Sequence, residues 1–72
     1  MKHYAINVFW SEEDGAWIAD VPDLKSCSAF GNSPEEAVSE VRVAMEAWLA
    51  AARKARLSIP KPHYQPHREA AE

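Results

Sequence analysis

Gly31-Asn32-Ser33-Pro34-Glu35-Glu36-Ala37 is where the hydrophobic rhythm of this chain changes, and its reading decides the fold. Before it, apolar residues alternate with period two; after it, they recur every three or four residues. The stretch itself is written as a helix start. Ser33 can accept from the backbone N–H three residues on, and Pro34 sits where a missing donor does no harm. Glu36 can reach back to complete a capping box, and Glu35 and Glu36 place negative charge at the positive end of the helix dipole.

Toward the N-terminus, Tyr4, Ile6, Val8 and Trp10 alternate with Ala5, Asn7 and Phe9, which predicts a first strand over Tyr4–Trp10. Ser11-Glu12-Glu13-Asp14-Gly15 reads as a turn with wet carboxylates and a glycine for positive φ. Ala16 to Val21 is the second strand, ended by Pro22. Pairing Trp10 with Trp17 sets Val8 opposite Ala19 and Ile6 opposite Val21, all on one face. A slip of one residue would carry Asp20 among them, at a desolvation cost of roughly a few kcal/mol. This register leaves Ala5, Asn7, Phe9, Ile18 and Asp20 on the other face. Asp23-Leu24-Lys25-Ser26 turns the chain again, and Cys27–Gly31 predicts a short third strand.

Toward the C-terminus, Ala37, Val38, Val41, Ala44, Met45, Trp48, Leu49 and Ala52 form one apolar stripe of a helix expected over Pro34–Arg56. Arg53, Lys54 and Arg56 fall in its last turn, where cations complement the dipole. Leu57-Ser58-Ile59-Pro60 is an apolar exit with room for one short edge strand. The fold class expected is a two-layer α+β domain, β-β-β-α-(β), with an antiparallel sheet and one amphipathic helix. Residues 1–60 form the domain, and residues 61–72, which lack periodicity, a flexible or partner-dependent tail. The helix should cover Tyr4, Ile6, Val8 and Trp10, leaving the face with Phe9 and Ile18 bare.

Seventy-two residues make a marginal core without disulfides, metal or self-association. A lone cysteine, Cys27, forms no intrachain disulfide, so a homo-oligomer, a dimer or higher, is expected. The start Met1-Lys2-His3-Tyr4 has no leader-like apolar run, and no span suits a membrane. With a free thiol, this points to the cytoplasm. The net charge of −3 hides an asymmetry: residues 1–46 carry three basic against nine acidic side chains, residues 47–72 five against two. An acidic body argues against gripping a phosphate backbone and suits a basic partner.

Catalytic and metal constellations are weak. Glu12, Glu13 and Asp14 are consecutive in a turn, whereas hydrolytic carboxylates are held on rigid elements at a set separation. His63 and His67 have a helical ligand spacing, but Pro62 and Pro66 oppose a helix through both. Cys27 has no histidine near it and reads as a small buried hydrophobe. Ser11, Ser26 and Ser28 lack a glycine-rich elbow, and the two glycines build no phosphate loop. Trp10, Trp17 and Trp48 read as core rather than as a base-stacking platform, which would need a basic groove. No metal, no cofactor and no catalysis are expected.

Taken in order, Tyr4-x-Ile6-x-Val8, Glu13-Asp14-Gly15-x-Trp17-x-Ala19-x-Val21-Pro22-Asp23-Leu24, Ala29-x-Gly31-x-Ser33-x-Glu35-Glu36-Ala37, the Trp48-Leu49 helix and Ile59-Pro60-x-Pro62 resemble the HicB family of antitoxins. The resemblance runs from Tyr4 to Pro62. It implies a cut-down ribonuclease-H-like fold and a role as antidote to HicA, a small basic ribonuclease toxin whose catalytic surface the antitoxin blocks. Many members also carry a C-terminal DNA-binding segment; the residues after Pro62 match none, so operator binding is not expected. Ribonuclease-H-type catalysis needs carboxylates on Mg²⁺ starting in the first strand, where this chain has Asn7.

The expected function is thus a non-catalytic, HicB-like antitoxin domain that occludes a cognate HicA-like toxin. The sheet register, rather than the family, nominates Phe9, Ile18, Asp20, Glu12, Glu13 and Asp14 as the protein interface. The alternative is an orphan HicB-like module that self-associates as a scaffold or binds a small ligand. Direct nucleic-acid binding is a third class, recognisable by steep salt dependence.

Overall fold

The structure is a computed structural model that describes residues 3–65. Three strands, β1 (Asn7–Ser11), β2 (Ala16–Asp20) and β3 (Ser28–Gly31), precede one helix, α1 (Pro34–Lys54). The strands form an antiparallel meander in the order β1-β2-β3. This is the two-layer α+β arrangement expected from the change of period at Ser33. Among the described residues, no strand follows α1: residues 57–65 run as an irregular segment. Of the expected tail, residues 66–72 lie outside the described part, His67 included.

The predicted hairpin register holds. Trp10 pairs with Trp17 and Val8 with Ala19, so Phe9 falls opposite Ile18 and Asn7 opposite Asp20. The two indoles meet edge to face, with centroids 5.7 Å apart and planes at 68°, a geometry that the ring quadrupole favours. The strands are shorter than expected: Tyr4–Ile6 lie outside β1, Val21 outside β2 and Cys27 outside β3, so the expected Ile6–Val21 pair falls beyond the ladder. Val21 and Cys27 are nevertheless joined, Val21 N–H donating to Cys27 O at 2.9 Å.

The helix begins where the sequence places it. Ser33 is the N-cap, with extended backbone, and its hydroxyl accepts from Glu36 N–H at 3.0 Å. The reciprocal bond differs by one residue from the expected capping box, since Glu36 Oε1 accepts from Asn32 N–H rather than from Ser33. The far end stops two residues early. Ala55 caps it, Arg56 turns left-handed (φ 61°), Leu57 N–H donates to Ala52 O and Arg56 N–H to Arg53 O. These paired bonds form a Schellman motif, with arginine where glycine is usual.

The core is Tyr4, Ala19, Val21, Leu24, Cys27, Ala37 and Val41, with Ile6, Trp17, Ala29, Ala44, Met45, Trp48 and Leu49 packed around it. Leu24, expected only as a turn residue, is 1 % exposed. The loop around it folds inward: Leu24 N–H donates to Val21 O, Cys27 N–H to Leu24 O, and the Trp48 indole N–H to Lys25 O. The expectation that the helix covers Val8 and Trp10 is corrected. Tyr4 is buried and Ile6 half-buried, but Val8 and Trp10 remain exposed on β1. The helix lies over β3 and β2 and meets β1 only at its margin.

Candidate functional site

The sheet face turned away from α1 carries three cross-strand ladders. Asn7, Asp20 and Ser28 form one; Phe9, Ile18 and Phe30 the next; Ser11 and Ala16 the last. Period-two alternation requires this grouping once the register is set. The central ladder is apolar across the full width of the sheet. Its outer members are open to solvent, Phe9 at 48 % and Phe30 at 60 %, but the expectation that Ile18 is bare is corrected: flanked across the strands by the two aromatic side chains, it is buried. The two exposed aromatic side chains thus stand on either side of a buried aliphatic one on a single sheet face.

The expected interface residues separate into two groups. Phe9 and Ile18 are direct cross-strand partners. The carboxylates are not clustered: Glu12, Glu13 and Asp14 occupy the β1–β2 turn, and Asp20 stands at the opposite end of β2. Four residue steps of strand separate Ala16 from Asp20, about 13 Å. The charges therefore flank the apolar ladder on its two sides. Within the turn, Asp14 accepts from the Ser11 hydroxyl at 3.0 Å and Glu12 from the Trp10 indole N–H at 3.2 Å. These bonds hold the carboxylates in place while leaving them exposed.

Phe30 is absent from the residues that the sequence nominated. Its signal was its alternation with Ser28, but the β2–β3 register is needed to set it beside Ile18. Beside it, a surface depression of about 270 Å³ is lined by Ala16, Phe30, Gly31, Asn32, Glu36 and Glu40. The aromatic ring thus borders two further carboxylates, the pattern that complements a basic surface with an apolar centre.

Residues 61–65 also reach back to the sheet end. The Asp23 carboxylate accepts from the backbone N–H of His63 at 3.0 Å and of Tyr64 at 3.2 Å, and from His63 Nδ1 at 2.9 Å. The Tyr4 hydroxyl donates to Pro60 O. Asp23, read from the sequence as the first residue of the second turn, is therefore a clasp for the segment after α1. Its side chain is only 1 % exposed.

Cys27 is buried, as expected of a small packed hydrophobe, and its thiol pKa is raised by burial and by the nearby Asp20 charge. Burial likewise raises the Tyr4 phenol, with Asp23 adding to it. Among the described residues, no group of three or more His, Cys, Asp or Glu is placed to hold a metal ion. Nor is any helix there long and apolar enough to cross a membrane.

Comparison with known proteins returned no matching family model, no matching curated protein and no matching solved structure.

Proposed function

We propose that this chain is a HicB-like antitoxin domain, a non-catalytic protein that seats a small basic ribonuclease toxin of the HicA type on its outer sheet face. The reading rests on the ordered sequence pattern from Tyr4 to Pro62 and on one structural observation, the Phe9–Ile18–Phe30 ladder, whose two outer aromatic members are exposed. Asp20 and Glu12–Asp14 on its two sides, with Glu36 and Glu40 beside Phe30, supply charge of the sign that an RNA-binding surface attracts. Phe30 now belongs with the interface residues.

Inhibition would proceed by occlusion. Carboxylates steer the basic toxin to the face, and the aromatic ladder supplies the desolvated centre that holds it against RNA. The test is RNA cleavage by a short basic protein encoded beside this chain, measured with and without an equimolar amount of the chain. Loss of cleavage supports the reading. Cleavage unaffected by equimolar chain overturns it, as does a gene neighbourhood without any such frame.

The rival reading, an orphan module that self-associates, draws on the apolar edge of β1. Nucleic-acid binding would require a mobility shift with RNA or DNA that weakens steeply with salt. The acidic surround of the ladder opposes it.

A further inference from the structure

Strand β1 is an edge strand, paired on one side with β2 and on the other with nothing among the described residues. Natural edges are usually blunted by lysine, proline, a bulge or a covering element. Here Val8, Phe9 and Trp10 follow one another, and all are exposed, Val8 at 36 % and Trp10 at 46 %. The opposite edge, β3, is different: α1 packs over it more closely than over any other strand.

The chemistry of β1 reads the same from either end: polar Asn7 and Ser11 outermost, apolar Val8 and Trp10 on the helix side, Phe9 central on the outer side. We infer that β1 pairs antiparallel with β1 of a second copy of this chain, across a two-fold axis at Phe9. In that register Asn7 meets Ser11 of the second copy, Val8 meets Trp10, and Phe9 meets Phe9. A two-fold interface uses the same patch twice, so a self-complementary strand is its natural element.

Two further observations favour a second copy as the occupant. On the helix side, Val8, Pro34, Glu35 and Val38 line an open groove of about 390 Å³. Directly opposed residues of an antiparallel pair have Cβ atoms about 4.5–5.5 Å apart, so Trp10 of the second copy, opposite Val8, stands at the mouth of this groove, and the reverse follows by symmetry. The register also sends the two Glu12–Asp14 turns to opposite ends of the new strand pair, so like charges stay apart. A parallel pairing would bring them together.

The pairing joins two sheets into one of six strands. Their outer ladders become one stripe, Phe30, Ile18 and Phe9 followed by Phe9, Ile18 and Phe30 of the second copy. The docking face is thereby doubled rather than covered, so self-association and toxin capture stand or fall separately.

The test is cross-linking of the full chain in a Cys27→Ala background. Phe9→Cys should oxidise to a disulfide-linked species of twice the 8.1 kDa chain mass. Ser11→Cys should not, because its counterpart lies four residues out of register, about 13 Å away. Sedimentation of the unmodified chain should show a concentration-dependent dimer, weakened about tenfold or more by Val8→Lys and left unchanged by Phe30→Lys. Circular dichroism checks that each variant folds. A monomeric mass throughout the micromolar range overturns the inference. So does equal cross-linking at positions 9 and 11, or a folded Val8→Lys protein that still forms the dimer.

Discussion

Gly31 and Ala37 approach so closely that a Cβ on Gly31 would lie 2.4 Å from the Ala37 backbone nitrogen. Gly31 ends β3 and Ala37 lies in the first turns of α1, so this contact sets how near the helix sits to the sheet. Because backbone rather than a flexible side chain stands in the way, Gly31→Ala must push the helix start outward. We expect it to destabilise the protein by about 1–3 kcal/mol or more, measured by thermal or urea unfolding. Gly15 is different: its Cβ would meet nothing, and only its positive φ (62°) opposes substitution. Gly15→Ala should therefore cost about 1 kcal/mol.

Arg56 holds a left-handed conformation at the end of α1 without the freedom of glycine. Its side chain is exposed, so replacing it removes strain with little loss of packing. Arg56→Gly is expected to raise stability by about 0.5–1 kcal/mol, seen as a higher midpoint in urea.

Asp23 clasps residues 63 and 64 across forty positions of sequence, with three bonds to one carboxylate. Asp23→Ala should release this segment while leaving α1 intact. Chymotryptic cleavage after Tyr64 should accelerate, with the helical circular dichroism signal little changed.

Cys27 and Tyr4 both hold their protons more tightly in the folded state, chiefly because burial disfavours the charged form. Between the unfolded and the folded pKa, the native state carries more protons, so stability falls as pH rises through that window. Their contribution is fully present at neutral pH and lost on the alkaline side. Cys27 should accordingly react slowly with a thiol reagent at pH 8 in the native protein and rapidly in denaturant.

Much of this fold was legible because local and long-range signals agreed. The change of period at Ser33, its cap and Pro34 fixed the start of α1, and the expense of burying Asp20 fixed the hairpin register. What escaped the sequence depended on geometry between elements. Leu24 is buried because its loop folds inward under Trp48, and Val8 and Trp10 are exposed because the helix favours β3. Phe30 joins the outer ladder only through pairing with Ile18, and no local pattern links Asp23 to His63. Arg56 ended the helix in a conformation that sequence rules assign to glycine.

The most direct test of the proposed docking face compares the wild-type chain with Phe30→Asp as inhibitors of the neighbouring basic ribonuclease. Phe30 is 60 % exposed and outside the core, so the substitution should cost no more than about 1–2 kcal/mol, from the lost pairing with Ile18 and lower strand propensity, and leave the protein folded. The wild-type chain is predicted to abolish RNA cleavage near equimolar ratio, and Phe30→Asp to require about tenfold more protein, about 1.4 kcal/mol of lost binding. Equal inhibition by the two proteins, or none by the wild type, would contradict the account.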